Sequence, residues 1–481
     1  MKIIILVISF WLVGTSRWAS TLIASGDKNV ADKFDPLFKV ALLQMKIIAD
    51  TSSILLSDIE SVENLELRTN LWIKSANETE TEQHAITSLK GLEYFSSLRW
   101  FKLIGQWNDT LKYIPAFSKL KELRKLEISR IYLSSLDISG CRNLITLICT
   151  SCELKTLDLK KNLQLRTLSC AYNQLVELDI SRNKQLQTVI ASFQSNSLLL
   201  SEGGRSGVLS KLVLPDNRFD KEGIRILECS DNNLEKLDIS RSPHLRKIDC
   251  GWNKLKTLDT SHHLELRDLN CEANYIHELD FSANQRMELL ICGLQGYEWA
   301  RQTGNDYRLL KKLRLPVQKE NSEGIYLRKL SIREISEEAI PVFSDYPYLK
   351  ELNCSVNRLM TIDITKNTQL EILNCSSNPI SQLDLHSCVN LCSLNIRYCP
   401  LQTLDLSRTK VIKMECDSYD RREGVTKGHS LPFSSLVLII PKGYHAETIN
   451  FKVEGFETAS FTNDLVEHNL PPQYIRMVVN R

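Results

Sequence analysis

The feature that most constrains this chain is a short motif that returns at a fixed interval. The tripeptide Leu-Asp-Leu, or a close relative, occurs in three series, and each step within a series is 21 residues. The cysteines keep the same interval, as from Cys229 to Cys250 to Cys271. Such a period predicts a solenoid, because one repeat cannot bury its own apolar face but stacked repeats can. The motif begins at Leu136, Leu157, Leu178, Leu237, Leu258, Leu279, Ile362, Leu383 and Leu404.

Each unit has two halves, such as LRKIDCGWNKL from Leu245 and LDTSHH from Leu258. Alternating apolar positions in the first half predict a short strand whose inward side chains fill the core. From about Leu123 to Cys416 the unit closely resembles the 21-residue bacterial leucine-rich repeats of the IRREKO subclass, and the run from Ala85 to Gly105 resembles internalin-type repeats. The resemblance implies an α/β repeat solenoid, a leucine-rich-repeat arc with parallel short strands on the concave side and short extended segments on the convex side.

The ends of the chain depart from the repeat. Residues 1–24 are expected to be a signal peptide, because Lys2 precedes an apolar run that is too short to span a bilayer. A buried N-terminal helix is the alternative. Residues 25–85 are predicted to form an N-terminal cap region with a helix that starts at Asp35 and Pro36. We assign residues 86–416 to the solenoid and residues 417–481 to a C-terminal cap region, and expect a secreted, cell-surface or periplasmic protein.

Two interruptions delay the second half of the unit, and inserted loops are therefore expected near 194–211 and 295–312. A similar delay follows the last repeat. Because the delays fall at one position of the unit, the loops should leave the solenoid on one side. They could form a binding rim there, or they could be surface decoration that the fold tolerates.

The fourteen cysteines do not predict a disulfide framework. Most occupy an inward position of the repeat, where in-register neighbours on parallel strands have Cβ atoms about 4.8 Å apart. A disulfide needs roughly 3.5 to 4.5 Å. We therefore expect buried, reduced thiols. The aspartates of the Leu-Asp-Leu halves also stack. We expect hydrogen bonds from backbone N–H groups to stabilise their carboxylates, and bridging calcium ions are the alternative.

Catalytic and cofactor motifs are absent from the sequence, which contains no HExxH, GxSxG or phosphate-binding glycine loop. We expect no enzyme activity, no cofactor and no metal site. The formal charge is +2, and removal of residues 1–24 would bring it to zero, so nothing favours nucleic acid as a partner. No later segment is apolar for 18 residues, and no transmembrane span is expected. The expected function is binding of a protein partner, from a host or a cell surface, through the concave face. The alternative is a glycan-binding or structural cell-envelope component.

The predicted ligand site lies between Ile224 and Leu294. Residues that flank the inward positions of each strand point outward, and a second column follows two places after the cysteine position. An exposed Trp252 in that column would be a plausible binding anchor. The other interpretation is that Trp252 folds against the neighbouring repeat and covers the turn. The ligand-binding residues predicted from these positions are Glu228, Lys247, Asp249, Asn270, Trp252 and Tyr172.

Overall fold

The structure of the protein, a computed structural model, describes residues 27–74, 81–106, 111, 114, 117–133, 135–195, 207–297, 308–317, 326–411, 413–415, 436–440, 449–451, 459–461 and 475–479. The expected signal peptide at residues 1–24, most of both inserted loops, Cys416 and most of the C-terminal region lie outside the described residues.

Short strands dominate the described part of the chain. In chain order they are β1 (Asn64–Arg68), β2 (Asn70–Lys74), β3 (Thr81–Ala85), β4 (Trp100–Ile104), β5 (Lys125–Ser129), β6 (Thr146–Thr150), β7 (Thr167–Ser169), β8 (Glu177–Asp179), β9 (Thr188–Ile190), β10 (Lys211–Val213), β11 (Ile226–Glu228), β12 (Lys247–Asp249), β13 (Asp268–Asn270), β14 (Glu278–Asp280), β15 (Leu289–Ile291), β16 (Lys312–Arg314), β17 (Lys329–Ser331), β18 (Glu351–Asn353), β19 (Ile372–Asn374), β20 (Ser393–Asn395), β21 (Thr403–Asp405), β22 (Lys413–Glu415), β23 (Leu436–Ile440), β24 (Ile449–Phe451), β25 (Ala459–Phe461) and β26 (Ile475–Val479).

Fifteen of these strands form one continuous parallel sheet in the order β1-β4-β5-β6-β7-β9-β11-β12-β13-β15-β17-β18-β19-β20-β22. Each turn of the solenoid contributes one strand, which we call a rung. In the regular part, successive rungs pair residues one repeat apart, so that Ile226 pairs with Lys247 and Lys247 with Asp268. The sheet confirms the solenoid that the repeat period predicts.

Alternation along each strand divides the rung into an inner and an outer face. In β12, buried Ile248 lies between half-buried Lys247 and Asp249, and Cys250 then points back into the core. The same pattern of one buried residue between two partly exposed ones holds in β7, β9, β11, β13 and β15. Because a strand has a side-chain period of two, this pattern gives the sheet one apolar face and one face open to solvent.

A helix covers the N-terminal end of the core. The α-helix α1 (Pro36–Gln44) begins where the sequence predicts it: Oδ1 of Asp35 accepts hydrogen bonds from the N–H groups of Leu37, at 3.0 Å, and Phe38, at 3.2 Å. Phe38 is fully buried, and its ring lies 6.3 Å from that of Phe95. The other helical segments among the described residues are α2 (Leu56–Glu60) and the 3-10 turns Ala31–Lys33, Leu92–Tyr94, Phe117–Lys119, Glu337–Ala339 and Phe343–Asp345.

The sheet begins earlier than the repeat pattern indicates. β1 pairs in parallel with β4, although β1 lies inside the segment 25–85 that we assign to the N-terminal cap. Leu65 and Leu67 are buried like the core residues of later rungs. The antiparallel strands β2 and β3 replace the second half of this repeat, which therefore lacks the Leu-Asp-Leu motif. For that reason the sequence pattern does not reveal the rung.

The opposite, convex side of the solenoid carries short extended segments and three places where a delayed half-unit returns. β10 pairs in parallel with β8, β16 with β14, and β23 with β21. Ion pairs join the first two of these returning strands to their partners, Lys211 to Glu177 at 3.3 Å and Lys312 to Glu278 at 3.2 Å. The chain therefore rejoins the convex ladder after each interruption.

Candidate functional site

The outward residues of β11, β12 and β13 form two rows across the concave face. One row consists of Ile226, Lys247 and Asp268, and the other of Glu228, Asp249 and Asn270. The structure thus brings together four of the six residues that the sequence predicts as ligand-binding. Parallel strands lie about 4.8 Å apart, so a partner could contact both rows at once.

The charged side chains of these rows differ in how well the folded protein stabilises their charges. Nζ of Lys247 lies 2.7 Å from Oε1 of Glu228, and this hydrogen bond raises the pKa of Lys247. Burial raises the pKa of Asp249, and the nearby carboxylate of Glu228 raises it further. Burial also raises the pKa of Asp268. Lys247 therefore has a close anionic partner, whereas the ionised forms of the two aspartates are disfavoured in the folded protein.

A second column runs along the edge where the concave strands end. It contains one residue per rung, and each has a left-handed backbone with φ between 52° and 59°. The N–H groups continue the ladder beyond the strand, as when Trp252 donates to the carbonyl of Glu272 at 2.9 Å. We call this set the left-handed column; from β5 to β20 its members are Arg130, Ser151, Tyr172, Phe193, Asp231, Trp252, Ala273, Leu294, Glu334, Val356, Ser377 and Tyr398.

The left-handed conformation is not visible in the sequence. Glycine, asparagine and aspartate favour this region of backbone space, yet the column contains phenylalanine, tyrosine, tryptophan and leucine. The position in the repeat could be predicted, but not its backbone. The turn is imposed by the inward residues on both sides, as Cys250 and Asn253 are both buried around Trp252.

Trp252 is half-buried, and its contacts favour the covering role. Its ring meets that of Tyr297 edge to face, with the centroids 5.8 Å apart and an interplanar angle of 81°. Its Nε1–H donates to Oε1 of Glu272 on the next rung at 3.2 Å. Tyr297 is the third residue of the second inserted loop, 295–312, and the last one described before residue 308. Trp252 therefore packs between the next rung and the base of that loop.

Tyr172 lies apart from the charged rows. It belongs to the same left-handed column as Trp252, but the rungs of Phe193 and Asp231 stand between them. The ring of Tyr172 stacks on that of Phe193, with the centroids 4.8 Å apart and an interplanar angle of 5°. Both rings remain open to solvent, with exposed fractions of 53% for Tyr172 and 38% for Phe193. The structure thus separates two surfaces that the sequence analysis treats as one site.

Two glutamines that the sequence analysis missed mark the rungs from which the inserted loops leave. Gln194 and Gln295 take the position that asparagine occupies in neighbouring rungs, and both are fully buried. Nε2 of Gln295 donates to the carbonyl of Cys271 at 2.8 Å, and its Oε1 accepts from the N–H of Ile276 at 3.0 Å. The signal was present in the sequence, because each glutamine directly precedes a delayed half-unit.

The thiols of the cysteine column are buried, which disfavours their ionised, reactive form. The thirteen cysteines within the described residues are free, and twelve of them are buried, in keeping with the prediction of reduced thiols. Burial raises the pKa of Cys170 to about 12, which keeps the sulfur protonated at neutral pH. Cys392 is the described cysteine that is only half-buried, and its Sγ donates to the carbonyl of Glu371 at 3.2 Å. In the described part of the chain, no three His, Cys, Asp or Glu side chains cluster as metal ligands.

The aspartates of the convex side are held by the backbone. In all nine, Oδ1 accepts a hydrogen bond from the N–H group two residues later. These bonds close tight turns and leave the carboxylates at the surface. The observed geometry is the one that the sequence analysis favours over calcium bridging.

Solved structures with a similar fold include three bacterial proteins. The functional domain of InlJ from Listeria monocytogenes, which includes a cysteine ladder, has a TM-score of 0.62 and 22% identity, over 88% of this chain and 84% of that one. The internalin InlF from the same species has a TM-score of 0.51 and 17% identity, over 78% of this chain and 93% of that one. A leucine-rich-repeat protein of Leptospira interrogans has a TM-score of 0.50 and 18% identity, over 73% of this chain and 76% of that one.

This chain has the leucine-rich-repeat fold. The InlJ domain, like this chain, contains a repeating column of cysteines, which is called a cysteine ladder there. No family model matches the sequence, and no curated protein matches it. Across the described residues, the structure contains no helix with the length and apolar character that crossing a membrane requires.

Proposed function

We propose that the protein is an exported, non-enzymatic binding protein that recognises a protein partner through the outward rows of β11, β12 and β13. The observation that carries this proposal is the pair of half-buried aspartates, Asp249 and Asp268, on adjacent rungs of the concave face. Burial raises the pKa of both, so at neutral pH each carboxylate costs the folded state free energy.

A partner with basic side chains would relieve that cost. The nearest cation in the rows, Lys247, is already paired with Glu228. Arg267, which directly precedes Asp268, forms an ion pair with Glu288 at 3.0 Å. The acidic residues of the patch therefore outnumber the cations that neutralise them, and a lysine or arginine of the partner would complete the set.

The proposal predicts that binding and stability respond in opposite directions to one double variant. Asp249→Asn with Asp268→Asn keeps side-chain shape and removes two disfavoured charges, so the melting temperature should stay the same or rise. Binding to an extract of surface proteins should weaken at least tenfold, measured with labelled protein over a concentration series. The matched control is Glu177→Gln with Lys211→Gln, which removes an exposed ion pair on the convex side and should leave binding unchanged.

Treatment of the extract identifies the class of partner. Protease digestion should abolish binding, and enzymatic removal of glycans should leave it intact. Binding that survives the double aspartate variant in full, or that disappears only with the glycans, would contradict the proposal. Trp252→Ala should lower the melting temperature, since the contacts with Tyr297 and Glu272 are lost.

Export is a separate part of the proposal and rests on the sequence of residues 1–24 alone. Expression of the full chain in a bacterial host should yield a secreted or surface-bound protein whose N-terminus, read by mass spectrometry, follows Ala19-Ser20 or Ala24-Ser25. Retention of Met1 in a protein that stays in the cytoplasm would contradict it.

A glycan-binding or structural envelope component is the second candidate function. The exposed aromatic pair of Tyr172 and Phe193 is the observation that favours a glycan.

A further inference from the structure

The rungs β6, β7 and β9 present an outer surface of a different chemistry from the charged rows. Thr146, Thr167 and Thr188 pair in register across the three strands. The next outward row consists of Ile148, Ser169 and Ile190. The outward residues of these strands include no charged side chain.

The edge of the same rungs carries the stacked rings of Tyr172 and Phe193. Both project from the left-handed column, and one face of Tyr172 is used by Phe193. The residue on the preceding rung is Ser151, whose side chain is too small to cover an aromatic ring, and Tyr172 remains 53% exposed. The stack holds the ring in a fixed orientation, because aromatic pairs at this separation attract each other.

A carboxylate and an amide follow the left-handed column on the rungs of Ser151 and Tyr172. Cys152 and Asn173 point inward and are buried, so their neighbours Ser151, Glu153 and Gln174 lie at the surface around Tyr172. Nε2 of Gln174 donates to Oε2 of Glu153 at 3.4 Å across the two rungs. Glu153 also has a left-handed backbone, with φ of 55°. The set therefore offers a flat apolar ring beside hydrogen-bonding groups of both kinds.

We propose that this surface, which we call the Tyr172 platform, binds an uncharged oligosaccharide. A pyranose ring has an apolar C–H face that fits the open face of Tyr172, and hydroxyl groups at its edge that can pair with Glu153, Gln174 and the threonine row. Because β6, β7 and β9 carry no outward charge, a partner with several charges would find only the carboxylate of Glu153 opposite it among the residues of the platform. A purely apolar partner would leave the hydroxyl and amide groups without hydrogen bonds, which costs free energy.

The platform does not depend on the protein-binding patch. The rungs of β11 and β12 lie beyond β9, and the two surfaces share none of the residues named for them. One molecule could therefore bind a glycan on the rungs of β6, β7 and β9 and a protein partner on the adjoining rungs of β11, β12 and β13.

The test is titration calorimetry of the purified chain with a panel of soluble hexasaccharides: cello-, chito-, malto- and laminari-hexaose, with sulfated and sialylated oligosaccharides as charged counterparts. We expect at least one uncharged member to bind with a Kd of roughly 10 μM to 1 mM, a range typical of few-contact ligands. Charged counterparts should bind no better than the uncharged ones.

Variants then locate the site. Tyr172→Ala should weaken binding at least tenfold, while Tyr172→Phe should retain it within about threefold, since the ring face remains. Gln174→Ala should weaken binding without moving the melting temperature. The matched control is Tyr398→Ala, which removes a tyrosine from the same column at the far end of the solenoid. Asp249→Asn with Asp268→Asn should also leave sugar binding unchanged, which separates this proposal from the protein-binding one.

Three results would overturn the inference. The first is that no uncharged member of the panel binds. The second is that an uncharged member binds equally well to the wild type and to a folded Tyr172→Ala variant. The third is that Tyr172→Ala reduces only the protease-sensitive binding to the protein extract, which would make the platform part of a protein interface.

Discussion

Two columns of buried polar side chains run along the solenoid, one behind the concave strands and one behind the convex turns, and they accept different residues. From β6 to β20 the concave column is amide-rich, with Cys152, Ile335 and Cys399 as its exceptions; the amides are Asn173, Gln194, Asn232, Asn253, Asn274, Gln295, Asn357 and Asn378. The convex column is more varied, and its polar members within the described residues are Cys141, Asn162, Asn183, Asn217, Ser242, His263, Asn284, Asn367, Cys388 and Thr409.

The hydrogen bonds explain the difference. Each amide of the concave column donates to backbone carbonyls and also accepts from a backbone N–H of the preceding rung, as Asn253 accepts from Leu234 at 3.0 Å. In the convex column the side chain donates to a carbonyl. Among the described residues, Oδ1 of Asn162, Asn183, Asn217 and Asn367 has no partner, whereas Oδ1 of Asn284 accepts from Oγ1 of Thr260 at 2.8 Å. A position that needs only a hydrogen-bond donor can be filled by serine, threonine, cysteine or histidine. A position that needs both a donor and an acceptor favours the amide of asparagine or glutamine.

The largest expected effect is the contrast between matching substitutions in the two columns. Asn253→Ser should destabilise the protein by about 3 kcal/mol, because serine cannot reach both the carbonyls and the N–H of Leu234. Asn183→Ser should cost only about 1 kcal/mol, since a donor is retained and no acceptor was in use. Chemical denaturation of both variants measures the difference. Equal losses would show that the columns do not differ in the way proposed.

A reciprocal exchange tests why glutamine marks the rungs with insertions. Gln295→Asn should cost about 1 to 2 kcal/mol, because the shorter side chain cannot hold Ile276 and Cys271 together without moving the backbone. Asn274→Gln should cost about as much through overpacking. If Gln295→Asn melts like the wild type, the glutamine has no special role at the loop. Denaturation by urea, analysed as a two-state transition of the solenoid, gives both values.

His263 should make the convex column sensitive to mild acid. Nε2 contacts the carbonyl of Ile239 at 3.1 Å, but the buried Nδ1 has no partner in the described structure, and burial lowers the pKa. The unfolded chain therefore binds more protons than the folded one below pH 6.5, and stability should fall as the pH drops from there. His263→Asn keeps a donor for the carbonyl of Ile239 and removes the titrating ring, so its melting temperature should change little at neutral pH and should exceed that of the wild type at pH 5. Melting curves between pH 8 and pH 5 that stay parallel for both proteins would contradict this.

The smallest expected effect concerns the aspartates that close the convex turns. Hydrogen bonds to Ser282 and then to Arg314 lower the pKa of Asp280 to about 2. The stabilising contribution is therefore complete above the ordinary value of 3.8 and is lost as the pH falls toward 2. Asp280→Asn can still accept from the N–H of Ser282, so its melting temperature should change little at pH 7 and should decline less between pH 4 and pH 2. An equally steep acid decline in both proteins would show that this carboxylate does not contribute.

The repeat period is enough to place both columns, but it does not show that they need different hydrogen bonds. The 21-residue period fixes which residues stack, so Asn253 and Asn183 could each be assigned to a column. Whether an oxygen finds a donor depends on the distance to a backbone N–H of another rung, such as that of Leu234 for Asn253. The same limit applies to the candidate site: the pattern placed Glu228, Lys247, Asp249 and Asn270 on one face, but gave no measure of how deeply each is buried.

The sequence by itself therefore determined the repeat, the inward and outward alternation and the positions of the columns, because these follow from a period of 21 residues and a strand period of two. Tertiary structure decided the rest. In the folded chain β1 pairs with β4, the ring of Tyr172 stacks on that of Phe193, and the ring of Tyr297 packs against that of Trp252. Burial, ring contacts and pKa values depend on groups that are a rung or more away along the chain, and the spacing of the repeat does not encode those distances.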